Sequence, residues 1–332
     1  MLELIVAEPK KLELKDSAPL PAPSGDEVKI RLIYGGICGS DLGVYKGKVA
    51  YARYPVRAGH ELVGTIIEKG EKALFTIGTR VVVLPNTYCS ECDKCRKGLT
   101  NICENKRSLG INMDGGFAQE FTLSSKYVLE VPEDLPDEKA ILVEPLAVVV
   151  HAFNKAAIGA GTKVAVVGCG NEGLLAVALA RYLGADVTAV DINPAKFKMA
   201  RKIDAEIRTC YFEELRSETF DVVFEMSGVE AGVQNAVQLV EPGGTLILVG
   251  LAPEARLPIY LIARKEMTIH GSIIYQFPQD YQKAVEYLRD PGFHSEPVVS
   301  EILPFKEYEK AYELAASSDT GKIVMSFKEV DG

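Results

Sequence analysis

Two rhythms of apolar and polar positions divide the chain. Up to about residue 130, apolar residues fall in short runs broken by Gly, Pro and charged turns. This predicts strands over 28–34, 62–68, 80–84 and 117–123. The region reads as mostly antiparallel β structure with one long loop over 85–116. From about residue 144, longer helical periods alternate with short buried runs. The predicted order is helix 144–157, strand 163–167, helix 172–183, strand 187–190, helix 194–202, strand 222–225, helix 231–240, then strands 245–249 and 268–272. Such alternation implies an α/β fold with a parallel, doubly wound sheet. The tail predicts helices over 280–288 and 306–316 and a last strand over 322–327.

Composition narrows the function. A chain of 332 residues has room for two domains. Its net charge is −9, with no basic block, which argues against nucleic acid or an anionic membrane as partner. No run reaches the ~18 apolar residues of a membrane span. Residues 1–15 lack the apolar core of a signal peptide. A cytoplasmic, reducing location is therefore expected, where clustered cysteines read as metal ligands rather than disulfides.

Gly168-Cys-Gly170-Asn-Glu-Gly173 follows the predicted strand 163–167 and opens a helix. In that context the spacing is a dinucleotide fingerprint. Gly168 permits the tight turn, Gly170 the approach of a pyrophosphate, and Gly173 close packing of helix on strand. Free N–H groups at the helix start would hold phosphates. Asp191 ends the next strand, where a carboxylate bonds an adenosine ribose and repels a 2′-phosphate, favouring NAD over NADP. Glu172 is unusual, because many such turns carry an apolar residue there.

Of the chain's seven cysteines, Cys89, Cys92, Cys95 and Cys103 form C-x2-C-x2-C-x7-C. Four thiolates complete a tetrahedral zinc site with no open position, which staples a loop and does no chemistry. An iron–sulfur cluster uses similar spacing, but a β loop beside a nicotinamide fold favours zinc. Cys38, His60, Glu61 and Glu144 could make a second, mixed site with room for substrate. On the residues alone, Cys38 also reads as a buried thiol, His60 as a core or turn histidine, and Glu144 as a helix cap.

Several motifs together resemble the zinc-dependent medium-chain dehydrogenases, in particular the polyol and threonine dehydrogenase branch. They are Gly36-Ile-Cys38-Gly-Ser40-Asp41, Gly59-His60-Glu61, the four-cysteine loop, Gly115-Gly-Phe-Ala118, Glu144-Pro-Leu-Ala-Val148, the glycine turn and Gly321-Lys322. The resemblance spans nearly the whole chain. It implies a discontinuous GroES-like β-barrel catalytic domain, residues 1–146 and 276–332, around a Rossmann NAD-binding domain, residues 147–275. It implies that Cys38 and His60 ligate a catalytic zinc, with Glu61 and Glu144 ligating directly, through water, or from behind the ligands. Ser40 would bond the substrate oxygen, and Asp41 would orient His60. Glu172, Asp191 and Lys196 would contact the cofactor at its pyrophosphate and adenosine ribose, and Val249 and Gly250 would lie beside the nicotinamide.

The expected activity is hydride transfer between a secondary alcohol or polyol and NAD, with two zinc ions per chain and a homodimeric or homotetrameric assembly. Two departures from the family pattern bear on this. Gly43 stands where a relay histidine is common, so the proton must leave through water or Tyr45. Ile274 stands where polyol enzymes tend to have a hydroxyl-gripping arginine, which weakens the case for sorbitol-like substrates. The alternatives are a sugar- or polyol-phosphate dehydrogenase, with Lys46, Arg53 or Arg57 on phosphate, and a non-catalytic NAD-binding redox sensor.

Overall fold

Six parallel strands form the sheet of the chain's second half. In space they run Arg208–Cys210, Asp186–Val190, Lys163–Val167, Phe220–Glu225, Val240–Leu248, Thr268–Gly271. The structure is a computed structural model and describes residues 1–215 and 217–328. Strand order reverses between Lys163–Val167 and Phe220–Glu225. A crevice opens outside the carboxyl ends of the strands at such a switch point. Helix Asn171–Tyr182 starts there, immediately after the glycine turn, and buries Gly173 to Ala180.

The first half builds a seven-stranded sheet around the long strand Glu27–Ile37. That strand pairs with Glu61–Lys69, Glu120–Ser124 and, from the far end of the chain, Lys322–Ser326. Ile323 lies opposite Ile37, so the last strand is built into the sheet beside Cys38. Leu2–Glu8, Lys11–Asp16 and Val56–Arg57 make a separate small sheet. Ile30, Ile37, Ile66, Phe117, Phe121, Phe305 and Met325 fill the core between these layers.

Helix Val143–Phe153 joins the halves and is buried at all but one of its eleven positions. The expected domain break at 146/147 falls inside this helix. His151 Nδ1 and Asn154 Nδ2 each lie 2.9 Å from the Asp280 carboxylate, fastening this helix to Gln279–Arg289. Of the expected segment 276–332, residues 329–332 lie outside the described residues.

Several predicted bounds move. The helix predicted over 144–157 stops at Phe153, where the Asn154 side chain turns to Asp280. The strand predicted from Phe117 starts at Glu120, because Phe117 N donates to Ala58 O in a crossing loop. After the first long strand, the glycine-rich stretch at Cys38 opens helix Gly39–Tyr45, which the sequence pattern does not predict. Its two glycines hid it from propensity. Among the described residues no helix is long and apolar enough to cross a membrane.

The glycine turn gives a test by contrast. A Cβ on Gly173 would meet Gly168 O at 2.0 Å, whereas one on Gly170 meets nothing within 4 Å. Gly173→Ala is expected to destabilise by about 1–3 kcal/mol through overpacking. Gly170→Ala should stay within about 0.5 kcal/mol of the parent. Urea-unfolding midpoints check the contrast, and equal midpoints would contradict the packing role of Gly173.

Candidate active site and metal centres

Cys38, His60 and Glu61 reach one point from two elements. Cys38 caps helix Gly39–Tyr45, and His60 and Glu61 stand at the start of strand Glu61–Lys69. Ligating atoms of the three lie within 4.8 Å of one another. Asp41, buried in the first turn of the helix, holds them together. Its Oδ2 accepts from Cys38 N at 3.0 Å, and its Oδ1 accepts from Gly59 N at 3.3 Å and lies 3.2 Å from His60 Nδ1. With Nδ1 on a carboxylate, Nε2 is the nitrogen left to face the site. Ser40 Oγ stands 3.1 Å from it. Burial alone would lower the His60 pKa, but the Asp41 charge overrides it and raises it well above 6.5.

Glu61 does two things. One oxygen pairs with Lys322 Nζ at 2.5 Å, both side chains being fully buried. The other, Oε2, is buried with no hydrogen-bond partner among the described residues. A Cβ on Gly36 would meet that oxygen at 2.3 Å, so glycine there leaves it room. Burial alone would lower the Lys322 pKa, but Glu61, then Cys38 and Glu172, hold the ammonium above its usual range. Lys322 was legible only as a motif residue. A lysine in an otherwise apolar final strand is the signal that it is buried and paired.

Glu144, on the joining helix, is buried nearby. Burial and then the Glu61 charge push its carboxyl up to about 8. The Tyr275 hydroxyl accepts from Asn86 Nδ2 at 2.9 Å, and its pKa is raised by burial and by Glu144. The Cys38 thiol is likewise pushed up, by burial first and then by Glu172 and Glu61. A cluster of the Cys38 thiol with the carboxylates of Glu61, Glu144 and Glu172, the first two of them buried, with Lys322 already paired to Glu61, fits a divalent cation. Borderline zinc suits a Cys, His and carboxylate donor set.

Glu172, expected with Asp191 and Lys196 at the cofactor's pyrophosphate and adenosine ribose, keeps its backbone in the first turn after the glycine turn. Its Oε1 lies 3.7 Å from Cys38 Sγ, because a side chain in the first turn of a helix leans past the helix start, here into the crevice. Asp191 braces the glycine turn. Its Oδ2 accepts from Cys169 N at 2.7 Å and its Oδ1 from Asn193 N at 2.8 Å. Lys196 is not directed at Asp191; its Nζ donates to the Thr320 carbonyl. Val249 N and Gly250 N both donate to Glu225 O, which sets them at the carboxyl ends of neighbouring strands. Gly168 (φ +93°) and the open space over Gly170 leave a cradle that fits a pyrophosphate.

The four-cysteine loop forms a second centre. Sγ–Sγ separations are 3.9 Å for Cys89–Cys95, 3.9 Å for Cys92–Cys103 and 3.6 Å for Cys103–Cys89. Four sulfurs at ~2.3 Å around one ion lie ~3.8 Å apart. The separations far exceed a disulfide bond. Backbone N–H groups of Cys89, Cys92, Cys95 and Asn105 point at the sulfurs. Those of Glu91 and Cys92 pull the Cys89 thiol down to about 6, while burial pushes Cys95 up to about 12. Cys169 and Cys210 are buried and belong to neither group of candidate ligands. The buried pair gives a test. Lys322→Met is expected to cost about 3–5 kcal/mol in urea unfolding by stranding Glu61. Adding Glu61→Leu should recover most of that loss; no recovery would contradict the pairing.

Residues 24–133 match the alcohol dehydrogenase GroES-like domain, and residues 173–290 match the zinc-binding dehydrogenase domain. Sorbitol dehydrogenase of Halalkalibacterium halodurans is 33% identical over 93% of this chain and 94% of its own length. L-galactonate-5-dehydrogenase of Escherichia coli is 30% identical over 93% of this chain and 94% of its own length. The crystal structure of galactitol-1-phosphate dehydrogenase from Escherichia coli superposes with a TM-score of 0.90. It is 29% identical and covers 98% of this chain and 100% of that one. The four-cysteine cluster fits the structural zinc of such proteins. This chain belongs to the zinc-dependent medium-chain alcohol and polyol dehydrogenases.

Proposed function

We propose that the chain oxidises a secondary alcohol of a neutral polyol or related sugar derivative with NAD, and runs the reverse reduction. One observation carries this reading. The metal-donor set Cys38, His60 and Glu61 meets the dinucleotide turn, with Glu172 of that turn 3.7 Å from Cys38. An alcohol and a nicotinamide can therefore be brought together in one crevice. The relatives' names, sorbitol and L-galactonate-5-dehydrogenase among them, support an alcohol on a carbohydrate chain.

In this reading Cys38 and His60 ligate a catalytic zinc, with Glu61 and Glu144 as the carboxylates beside it, and the cysteine quartet holds the structural one. When bound, the catalytic zinc supplies a Lewis acid and NAD the hydride acceptor. The chain's own residues do the positioning. Asp41 fixes the His60 ring. Ser40 Oγ takes up the proton of the substrate hydroxyl. Gly43 offers no relay side chain, so that proton leaves through water or Tyr45. Gly168, Gly170 and Gly173 cradle the pyrophosphate, Asp191 faces the adenosine ribose with Lys196 close by, and Val249 and Gly250 line the nicotinamide end.

The working division is residues 1–146 with 276–332 for catalysis and 147–275 for NAD. A cytoplasmic homodimer or homotetramer is part of the proposal. Strand Thr268–Gly271 ends its sheet with one edge unpaired among the described residues, which supports pairing of copies. Of the cations considered for a phosphate-bearing substrate, Arg57 is already taken, its guanidinium held by Glu3 at 3.0 Å and by Gly115 O at 2.6 Å, which leaves Lys46 and Arg53 to that alternative. A redox sensor would not need an open-site donor set.

A panel of neutral polyols, sugar acids and polyol phosphates with NAD is the direct test. Turnover of at least one neutral polyol is expected. Cys38→Ser should lower kcat by about a thousandfold, the scale of a lost Lewis acid. Asp191→Ala should erode the preference for NAD over NADP. Tight NAD binding without turnover of any alcohol would favour the sensor instead.

A further inference from the structure

Glu172 is a carboxylate that the phosphate cradle does not need. It stands one residue before Gly173, in the first turn of helix Asn171–Tyr182, and its Oε1 is directed at Cys38 Sγ across the crevice. The other acidic groups of the crevice have assignments. Glu61 is paired with Lys322, Asp41 holds His60 and Cys38, and Glu144 lies against Tyr275. Among the described residues no side-chain cation is hydrogen-bonded to Glu172. Glu172 also touches both ends of the reading proposed above, on which this inference rests. Its backbone belongs to the turn that holds the dinucleotide phosphates, and its carboxylate reaches the metal-ligating cysteine. In that reading, a cofactor anchored at the turn with its reactive ring near Cys38 would lie beside this carboxylate.

We propose that Glu172 is a specificity-determining residue for the redox state of the cofactor, favouring the oxidised nicotinamide over the reduced one. The oxidised ring carries a formal positive charge and the reduced ring none. A carboxylate beside the ring therefore attracts one form and is indifferent to the other, apart from the cost of its own desolvation. Glu172 is half-buried, so screening limits the effect. A charge pair at a partly solvated site is worth about a tenfold difference in affinity. For a two-electron couple, tenfold tighter binding of the oxidised form lowers the potential of the bound cofactor by about 30 mV. The enzyme then holds NAD+ ready for alcohol oxidation and releases NADH more easily.

Dissociation constants of NAD+ and NADH for the zinc-loaded protein, by calorimetry and NADH fluorescence, test this in the parent, E172Q and E172V. Both variants should bind NAD+ about tenfold more weakly and NADH within about twofold of the parent. Two variants of different shape guard against a packing artefact. Equal changes for both cofactor forms, or no change, overturn the proposal. So does a loss of zinc affinity in a chelator competition with the NAD+/NADH ratio intact, because Glu172 would then be a metal ligand. A parent protein that binds neither form overturns the functional reading itself, and that result is distinct from the others.

Discussion

Glu61 and Lys322 meet at 2.5 Å with no solvent on either side chain, and much of the molecule hangs on that contact. Two charges taken out of water demand each other. The penalty for an uncompensated buried charge is several kcal/mol. Lys322 begins the last strand, Lys322–Ser326, and Glu61 begins the strand that carries the site, with Glu27–Ile37 between them. The pair therefore binds the far end of the chain to the first sheet at the point where Cys38 emerges. The second oxygen of Glu61 has no hydrogen-bond partner among the described residues and shares its surroundings with Cys38 and His60. One carboxylate thus serves the closure of the fold and the charge balance of the site.

The rest of the site follows from how the two sheets meet. Helix Val143–Phe153 crosses from one to the other, brings Glu144 into the buried cluster and is anchored by His151 and Asn154 on Asp280. The glycine turn then projects Glu172 toward Cys38 from the other side. Asp41 is the small-scale counterpart. Three contacts from one carboxylate set the helix cap, the loop before His60 and the imidazole ring. These are positioning roles, and they explain why a site assembled from distant segments can be kept rigid.

The local signals in the sequence were strong where the chemistry needs a fixed spacing. The glycine turn requires a strand before it and a helix after it, and both are there. Cys89, Cys92, Cys95 and Cys103 are close in sequence, so their convergence was readable from spacing. Cys38, His60 and Glu61 were ambiguous by residue type alone, because nothing local says that a helix cap and a strand start come together. The motif resemblance supplied that grouping. The partner of Lys322 is not legible locally, since the Glu61–Lys322 pair joins residues 261 positions apart. The glycine motif fixes the backbone of Glu172 and leaves its side chain's direction, here toward Cys38, to tertiary packing. Helix Gly39–Tyr45 was missed because its glycines mask a helix that its cap and Asp41 stabilise.

The central claim is that a buried, acid-rich cluster of this chain is a second metal centre, distinct from the thiolate loop. An anomalous difference map collected at the zinc edge, from crystals of the zinc-loaded protein, tests it most directly. The account predicts two peaks per chain: one among Cys89, Cys92, Cys95 and Cys103, the other bounded by Cys38, His60 and Glu61 at ~2.0–2.3 Å from its ligands. A single peak in the cysteine loop, with Glu61 still paired to Lys322, would contradict it.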